Sequence, residues 1–213
     1  MIDLLNIASD IPHNKFLDLY DKALKKKQRG IEAIAISSYD KFSNEVESRF
    51  VNLKYITGNE WIFFSNYQSP KAMQFESHDQ ISALFHWGAI NSQIRLKANI
   101  SKTSVEFSDD HFHGRTKEKN ALAISSNQSQ PIDSFDSVKE NFHTALASMD
   151  SESKRPDYWG GYSFTPYYFE FWEGHENRLN QRHVFSMEEG SWNESLLQPC
   201  LLYTSDAADD TLC

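Results

Sequence analysis

The chain has 213 residues, a formal charge of −9 and 14 % aromatic residues, the size of one domain whose core needs no covalent staples. An acidic chain whose longest basic run is Lys25-Lys26-Lys27 lacks the surface of a nucleic-acid binder. No apolar stretch reaches membrane-spanning length and no charged-then-apolar leader opens the chain, so no membrane contact and a soluble, cytoplasmic protein are expected.

From the N-terminus, Pro12 stands where a first helical turn begins. Phe16, Leu19, Tyr20, Ala23 and Leu24 follow at helical spacing, predicting an amphipathic helix within 11–30 with a frayed lysine end. Ile31 to Ser38 is apolar and β-branched and reads as a buried strand. Tyr39 to Asn44 is a polar turn, Glu47 to Ile56 the next strand, and Gly58-Asn59 turns the chain into a strand over Trp61 to Asn66. Short turns between successive strands predict an antiparallel meander. Ser69-Pro70-Lys71 has the composition of a helix start, with a hydroxyl to cap it, and the helix runs to about His78. Ile81 to Trp87 and Gln93 to Ile100 are further strands. Ser108 reads as the cap of a helix through Asp109-Asp110, and Ser134 as the start of one with Phe135, Val138, Phe142 and Leu146 on its apolar face. Ser151 to Pro156 is a charged loop before the closing strands. Strands with helices inserted between them, without regular βαβ alternation, fit a small closed barrel with peripheral helices. The absence of a G-x-G-x-x-G or Walker loop excludes those modes of phosphate binding at the motif level.

Pro166 to Phe185 carries the densest chemistry. Tyr167-Tyr168-Phe169 and Phe171-Trp172 read as a buried strand, Gly174 and Asn177 mark a turn, and Arg178, Asn180 and Arg182 alternate with Leu179, Gln181 and His183. On a strand that alternation puts both guanidiniums and the amide on one face, which suits a flat ring and an anion. A solvated face with ordinary ion pairs has the same spacing. Both cysteines, Cys200 and Cys213, lie in the tail, so the body has no disulfide framework and no thiolate metal site.

The pattern EFW-x-G-x-x-x-RL-x-x-R, preceded by Trp159-Gly160-Gly161, resembles the C-terminal signature of the pyridoxamine 5′-phosphate oxidases. These are FMN enzymes in which this segment closes over flavin and substrate. The resemblance runs from Pro12 to Pro199. It implies a β-rich α+β fold, an FMN-binding split β-barrel with peripheral helices. The oxidase domain would span 1–199, with a C-terminal dimerisation and substrate segment at 158–199. Trp192 to Pro199 resembles the family's terminal W-x-x-x-R-L-x-P, with Leu196 at the arginine. Residues 200–213 resemble translated sequencing-adapter ends and are set aside as a non-native tail.

On the cofactor side, Arg49 to Lys54 is similar to the family's R-x-V-L-L-K, a flavin-binding strand. Strict alternation puts Arg49 and Lys54 on opposite faces, so both reach one ligand only if the strand bulges or ends there. Phe63 to Lys71 is similar to F-Y-T-N-x-x-S-R-K, whose last pair grips the flavin phosphate; Lys71 matches and Pro70 replaces the arginine. Phe85-His86-Trp87 and Ser92 to Leu96 resemble F-x-W and R-Q-V-R-x, with Gln93 at the flavin-binding glutamine, and Gln128-Ser129 matches Q-S. The resemblance thus implies FMN held by Arg49, Lys54, Phe64, Ser65, Lys71, Gln93, Gln128, Ser129, Trp172 and Arg182.

On the substrate side, His111 to Arg115 resembles Y-F-x-S-R, with Arg115 retained, His111 for the tyrosine and Lys119 at a later serine. The family's R-L-H-D-R is here Arg178 to Arg182, with Asn180 for the histidine. The implied substrate ligands are Lys54, His111, Arg115, Lys119, Arg178 and Asn180, the last two at the catalytic positions. His111-x-His113 beside Asp109-Asp110 lacks a third ligand at zinc-like spacing, so no metal is expected. The implied activity is oxidation of pyridoxamine or pyridoxine 5′-phosphate to pyridoxal 5′-phosphate, with O₂ giving H₂O₂, in a homodimer with flavin at the subunit interface. A split-barrel flavin oxidase on another substrate, as in the phenazine-biosynthesis branch, is the rival that His111, Lys119 and Asn180 favour. A flavin-binding protein without turnover is the rival from another class.

Overall fold

A computed structural model describes residues 1–150 and 153–199; the predicted tail at 200–213, and Ser151 and Glu152 of the charged loop, lie outside them. The order is β1 (Asp3–Leu5), α1 (Ile11–Lys25), β2 (Ala33–Asp40), β3 (Glu45–Thr57), β4 (Glu60–Asn66), α2 (Pro70–Ser77), β5 (Gln80–Trp87) and β6 (Ser92–Lys102). Then follow α3 (Val105–His113), α4 (Lys117–Ser125), α5 (Phe135–Ser148), β7 (Trp159–Glu173), β8 (Gln181–Glu188) and β9 (Ser191–Leu197).

The predicted meander is present, and the sheet closes. Strand β3 pairs with β2 and β4, β2 with β5, β5 with β6, β6 with β7, and β7 returns to β4, all antiparallel. Closure depends on the length of β7. Its first half, Trp159 to Phe164, pairs with β4, while Tyr168 to Glu173 pairs with β8 on the way to β9. Between the halves lies Pro166, which has no N–H to donate, beside a register shift against Lys97 and Ala98 of β6. The barrel is therefore split along one strand. Side chains alternate as a barrel wall requires: Ile81, Ala83, Phe85 and Trp87 of β5 and Ile94, Leu96 and Ala98 of β6 are buried.

Helix α1 packs on this core through Phe16, whose ring lies 4.5 Å from that of Trp61, and burial of each such ring contributes about 1.5–3 kcal/mol. It stops at Lys25, a turn short of the predicted limit, because the chain turns at Lys27 (φ 55°) and Gly30 (φ 57°). Helices α3, α4 and α5 form a second apolar cluster around Trp159, with Phe112, Ala121, Ala145 and Met149. The two glycines after Trp159 let neighbouring side chains approach the β7 backbone closely. A Cβ at Gly160 would strike the Tyr67 hydroxyl, and one at Gly161 would strike the Thr103 side chain.

Several local expectations are corrected. The cap of α3 is Ser104, whose side chain accepts from Phe107 N; Ser108 is buried inside the helix and accepts from Gly161 N at 3.1 Å. Ser69 precedes α2 without a side-chain cap bond, because its hydroxyl donates to the Asn66 carbonyl at 2.7 Å. Ser134 does cap α5, but Phe135 is 72 % exposed and stands off its apolar face. Strand β1, which pairs parallel with the end of β3, and helix α4 were not anticipated.

Candidate functional site

A cavity of about 1120 Å³ opens between β3–β4 and the helices α2, α3 and α4. Its wall on β3 depends on a bulge. The register against β4 shifts between Leu53 and Tyr55, so Lys54 is the extra residue. Leu53 and Ile56 stay in the core, while Lys54 and Tyr55 both line the cavity together with Arg49. The bulge brings Tyr55 round to the side of Lys54, while Arg49, before the bulge and on the face of Leu53, stays on the other face and meets the same cavity from there.

At the α2 end sits Lys71, 8 % exposed and lining the cavity. Its Nζ donates to Ser69 Oγ at 3.1 Å, and no carboxylate among the described residues pairs with it. Burial, and then the neighbouring Arg49 charge, lowers its pKa to about 8. The Arg49 guanidinium is already braced, donating to Ser38 Oγ at 2.5 Å, Glu47 Oε2 at 2.7 Å and Gln74 Oε1 at 2.9 Å. Gln128 joins this end by accepting from Ser65 Oγ at 3.2 Å and Asn66 N at 3.3 Å, and Ser129 follows with φ 68°. A cation without a counter-ion beside a helix start is a ready place for an anion.

At the other end, His111 of α3 stacks on Phe64 with ring centroids 3.6 Å apart and meets the Tyr55 hydroxyl through Nδ1 at 2.8 Å. Burial first, and then the charges of Arg115, Lys54 and Lys119, push its pKa down to about 4, so the imidazole is neutral. Arg115 lies over the Trp159 ring at 4.4 Å and donates from Nη2 to the Lys119 carbonyl at 2.9 Å; its Nη1 is buried without a partner. Desolvation lowers the Arg115 pKa. An orphaned guanidinium N–H beside two lysines and a neutral imidazole is a second anion-accepting corner.

The remaining predicted residues do not line this cavity. Gln93, Trp172 and Arg182 stand opposite one another across β6, β7 and β8. Trp172 Nε1 is buried without a partner, and Arg182 is committed to Glu170, with Nη2 at 2.7 Å. Arg95 holds the other Glu170 oxygen. Burial would raise the Glu170 pKa, but hydrogen bonds from Arg182, Tyr168 and Arg95 outweigh it and hold it below the usual carboxylate value. The expectation that Arg178, Asn180 and Arg182 share one strand face is overturned. Strand β8 begins only at Gln181; Arg178 is exposed in the preceding turn with φ 57°, and Asn180 is buried, accepting from His175 N at 3.0 Å. The turn is longer than the alternation suggested, and Asn180 braces it. Tyr55 and Trp159, which line the cavity, were missed as site residues: a bulge is invisible to a period-two reading, and Trp159 read only as part of a motif.

Residues 159–199 match the family model described as the pyridoxine 5′-phosphate oxidase C-terminal dimerisation region. A pyridoxine/pyridoxamine 5′-phosphate oxidase of Hydrogenovibrio crunogenus is 33 % identical over 191 residues, 88 % of each chain. One of Colwellia psychrerythraea is 33 % identical over 169 residues, 79 % of this chain and 77 % of the relative. Among solved structures, PhzG of Burkholderia lata, in complex with tetrahydrophenazine-1-carboxylic acid, superposes with a TM-score of 0.83 at 22 % identity, covering 88 % of this chain and 92 % of its own. A pyridoxamine 5′-phosphate oxidase-related, FMN-binding protein of Nostoc punctiforme gives 0.72 at 10 % identity, covering 90 % and 99 %. At these identities the two structures speak to the fold alone.

Proposed function

Because the chain belongs to the pyridoxine/pyridoxamine 5′-phosphate oxidase family, we propose that it is an FMN-dependent oxidoreductase of the pyridoxal 5′-phosphate synthase type. It would oxidise pyridoxamine or pyridoxine 5′-phosphate to pyridoxal 5′-phosphate, with O₂ as acceptor and H₂O₂ as product. The observation that carries this reading is the cavity, where most residues matching the family's motifs converge between two separate cationic corners. Two anion-accepting ends suit a phosphorylated cofactor and a phosphorylated substrate lying in one space.

The donor set fits FMN. Lys71, without a carboxylate, and the braced Arg49 would take the terminal phosphate, with Ser65, Gln128 and Ser129 along the ribityl chain. Bound flavin would supply the two-electron chemistry of the oxidation, with O₂ as the final acceptor. The chain's own part is to bind and orient. Lys54, Arg115 and Lys119 would hold the substrate phosphate, His111 would donate beside them, and the aromatic floor of Phe64 and Trp159 would exclude water.

Gln93, Trp172 and Arg182 stand outside the cavity, so we assign them to the flavin of a second copy in a homodimer. The match of residues 159–199 to a dimerisation region supports that assignment. Residues 1–199 are then the oxidase domain, with 158–199 completing the partner's site. One observation favours a second reading, a flavin oxidase of the same fold on another substrate. Asn180 is bonded within its own turn and Arg178 faces solvent, so the segment expected to contact the vitamer is differently built.

The test is the visible spectrum of FMN-loaded protein under anaerobic addition of pyridoxamine 5′-phosphate, then of pyridoxine 5′-phosphate. Bleaching, followed by H₂O₂ when air is admitted, is expected. Retained colour with both vitamers would refute the assigned activity.

A further inference from the structure

We propose that Tyr55 is a positioning residue that fixes His111 as a neutral N–H donor to the substrate's phosphate; this rests on the functional reading above. The bulge at Lys54 turns Tyr55 to the cavity side of β3, where a regular strand would carry it to the opposite face from Lys54. From there its hydroxyl reaches His111 Nδ1 at 2.8 Å and has no other hydrogen-bond partner among the described residues. A phenol has one proton to give, and a neutral imidazole has one acceptor and one donor nitrogen. With the phenol O–H donating to Nδ1, that nitrogen is the acceptor and the ring proton stands on Nε2. The ring cannot swivel away. Phe64 covers it at 3.6 Å, nearly parallel, and Trp159 lies in the same stacked series, 6.2 Å from the imidazole.

The cationic corner explains why a neutral donor is useful. Burial first, and then the charges of Arg115, Lys54 and Lys119, hold the imidazole unprotonated, and a further charge there would be repelled in the empty site. A neutral N–H adds a directed hydrogen bond to the dianion without adding to that repulsion. Tyr55 thus acts through His111, by deciding which nitrogen carries the proton.

The experiment uses FMN-loaded protein and Tyr55→Phe, which keeps the ring that lies edge-on to Phe107 at 5.4 Å. Nitrogen-15 spectra of the histidines should give an unprotonated Nδ1 for His111 in the parent and a mixture of tautomers in the variant. Calorimetry with pyridoxal 5′-phosphate should give about tenfold weaker binding in the variant, the size expected for one hydrogen bond to a charged group. Binding of unphosphorylated pyridoxal and of FMN should not change. In a His111→Ala background, adding Tyr55→Phe should cost nothing more. A protonated Nδ1 in the parent, or equal weakening for pyridoxal and its phosphate, would overturn the proposal. A parent with no affinity for pyridoxal 5′-phosphate would overturn the functional reading and this proposal together. Phosphate-dependent affinity that Tyr55→Phe leaves untouched would overturn this proposal alone.

Discussion

Lys71 carries an ammonium group into a site where burial and Arg49 both oppose its charge, lowering its pKa from 10.5 to about 8. In the empty protein that is a cost: the unfolded chain binds the proton more readily, so stability rises as pH climbs from about 8 towards 10.5. A phosphate beside Nζ reverses the sign and favours the proton. FMN affinity should therefore hold constant up to about pH 8 and fall above it by at most tenfold per pH unit, while riboflavin affinity stays flat. Lys71→Ala should weaken FMN by about tenfold to a hundredfold, as expected for a charge-assisted bond, and riboflavin much less. Fluorescence titrations of both flavins at pH 7, 8 and 9 would check this, and equal affinities in the parent would remove the phosphate from this corner. The matching lysine was legible in the sequence because a short motif names it. Its isolation from carboxylates was not, because that depends on which acids the fold brings near.

Among the elements, α1 shows what a cap does when it is shared. Asp10 Oδ1 accepts from His13 N at 3.1 Å and His13 Nδ1 at 2.6 Å, while Oδ2 accepts from Trp192 Nε1 of β9 at 2.9 Å. Burial would raise the Asp10 pKa, but the bonds from His13 and Trp192 prevail and lower it. Its stabilising contribution is present above the ordinary value of 3.8 and lost as pH falls through the lower folded value. Asp10→Ala removes a cap worth about 1 kcal/mol and leaves Nδ1 of His13, a residue 1 % exposed, without its acceptor, while Nε2 keeps the Trp61 indole. A total loss of about 2–4 kcal/mol, a drop in Tm of roughly 5–15 °C, is expected by calorimetry; Asp10→Asn, which keeps an acceptor, should lose less. The helix was legible from Pro12 and the spacing of Phe16 to Leu24, but Asp10 was not singled out, since its second partner lies at the far end of the chain. Ser104 and Ser108 show the limit of local reading. Both are hydroxyls near acids, and only the end of β6 at Lys102 decides which of them starts α3. Helix α4 escaped notice because KEKNALAIS has too little apolar periodicity to signal itself.

At the scale of the molecule, β7 serves both the closed barrel and the ladder that leaves it, and the candidate site divides along the same line. Its first half ends the barrel beside the cavity at Trp159; its second half carries Trp172 between Gln93 and Arg182, outside that cavity. The motifs for all of these residues were legible in the sequence, but their separation was not, because a motif does not say which copy of a chain its residue serves. If the partner's Trp172 and Arg182 positions complete each cavity in a two-fold dimer, every site contains parts of both copies. At an FMN concentration well below the weakened Kd, Lys71→Ala and Arg182→Ala should then each leave both flavin sites of their own homodimer largely empty. Arg95 still holds Glu170 in the second variant, so the fold should survive. A mixed dimer, isolated through two different tags, has one cavity carrying both changes and one carrying neither. It should recover about half the flavin of the parent, measured as visible absorbance per protein chain. If each site were built from one copy, every cavity of the mixed dimer would carry one change and no flavin would return. The same half-recovery should appear in H₂O₂ production with pyridoxamine 5′-phosphate, since the restored cavity has its full set of ligands.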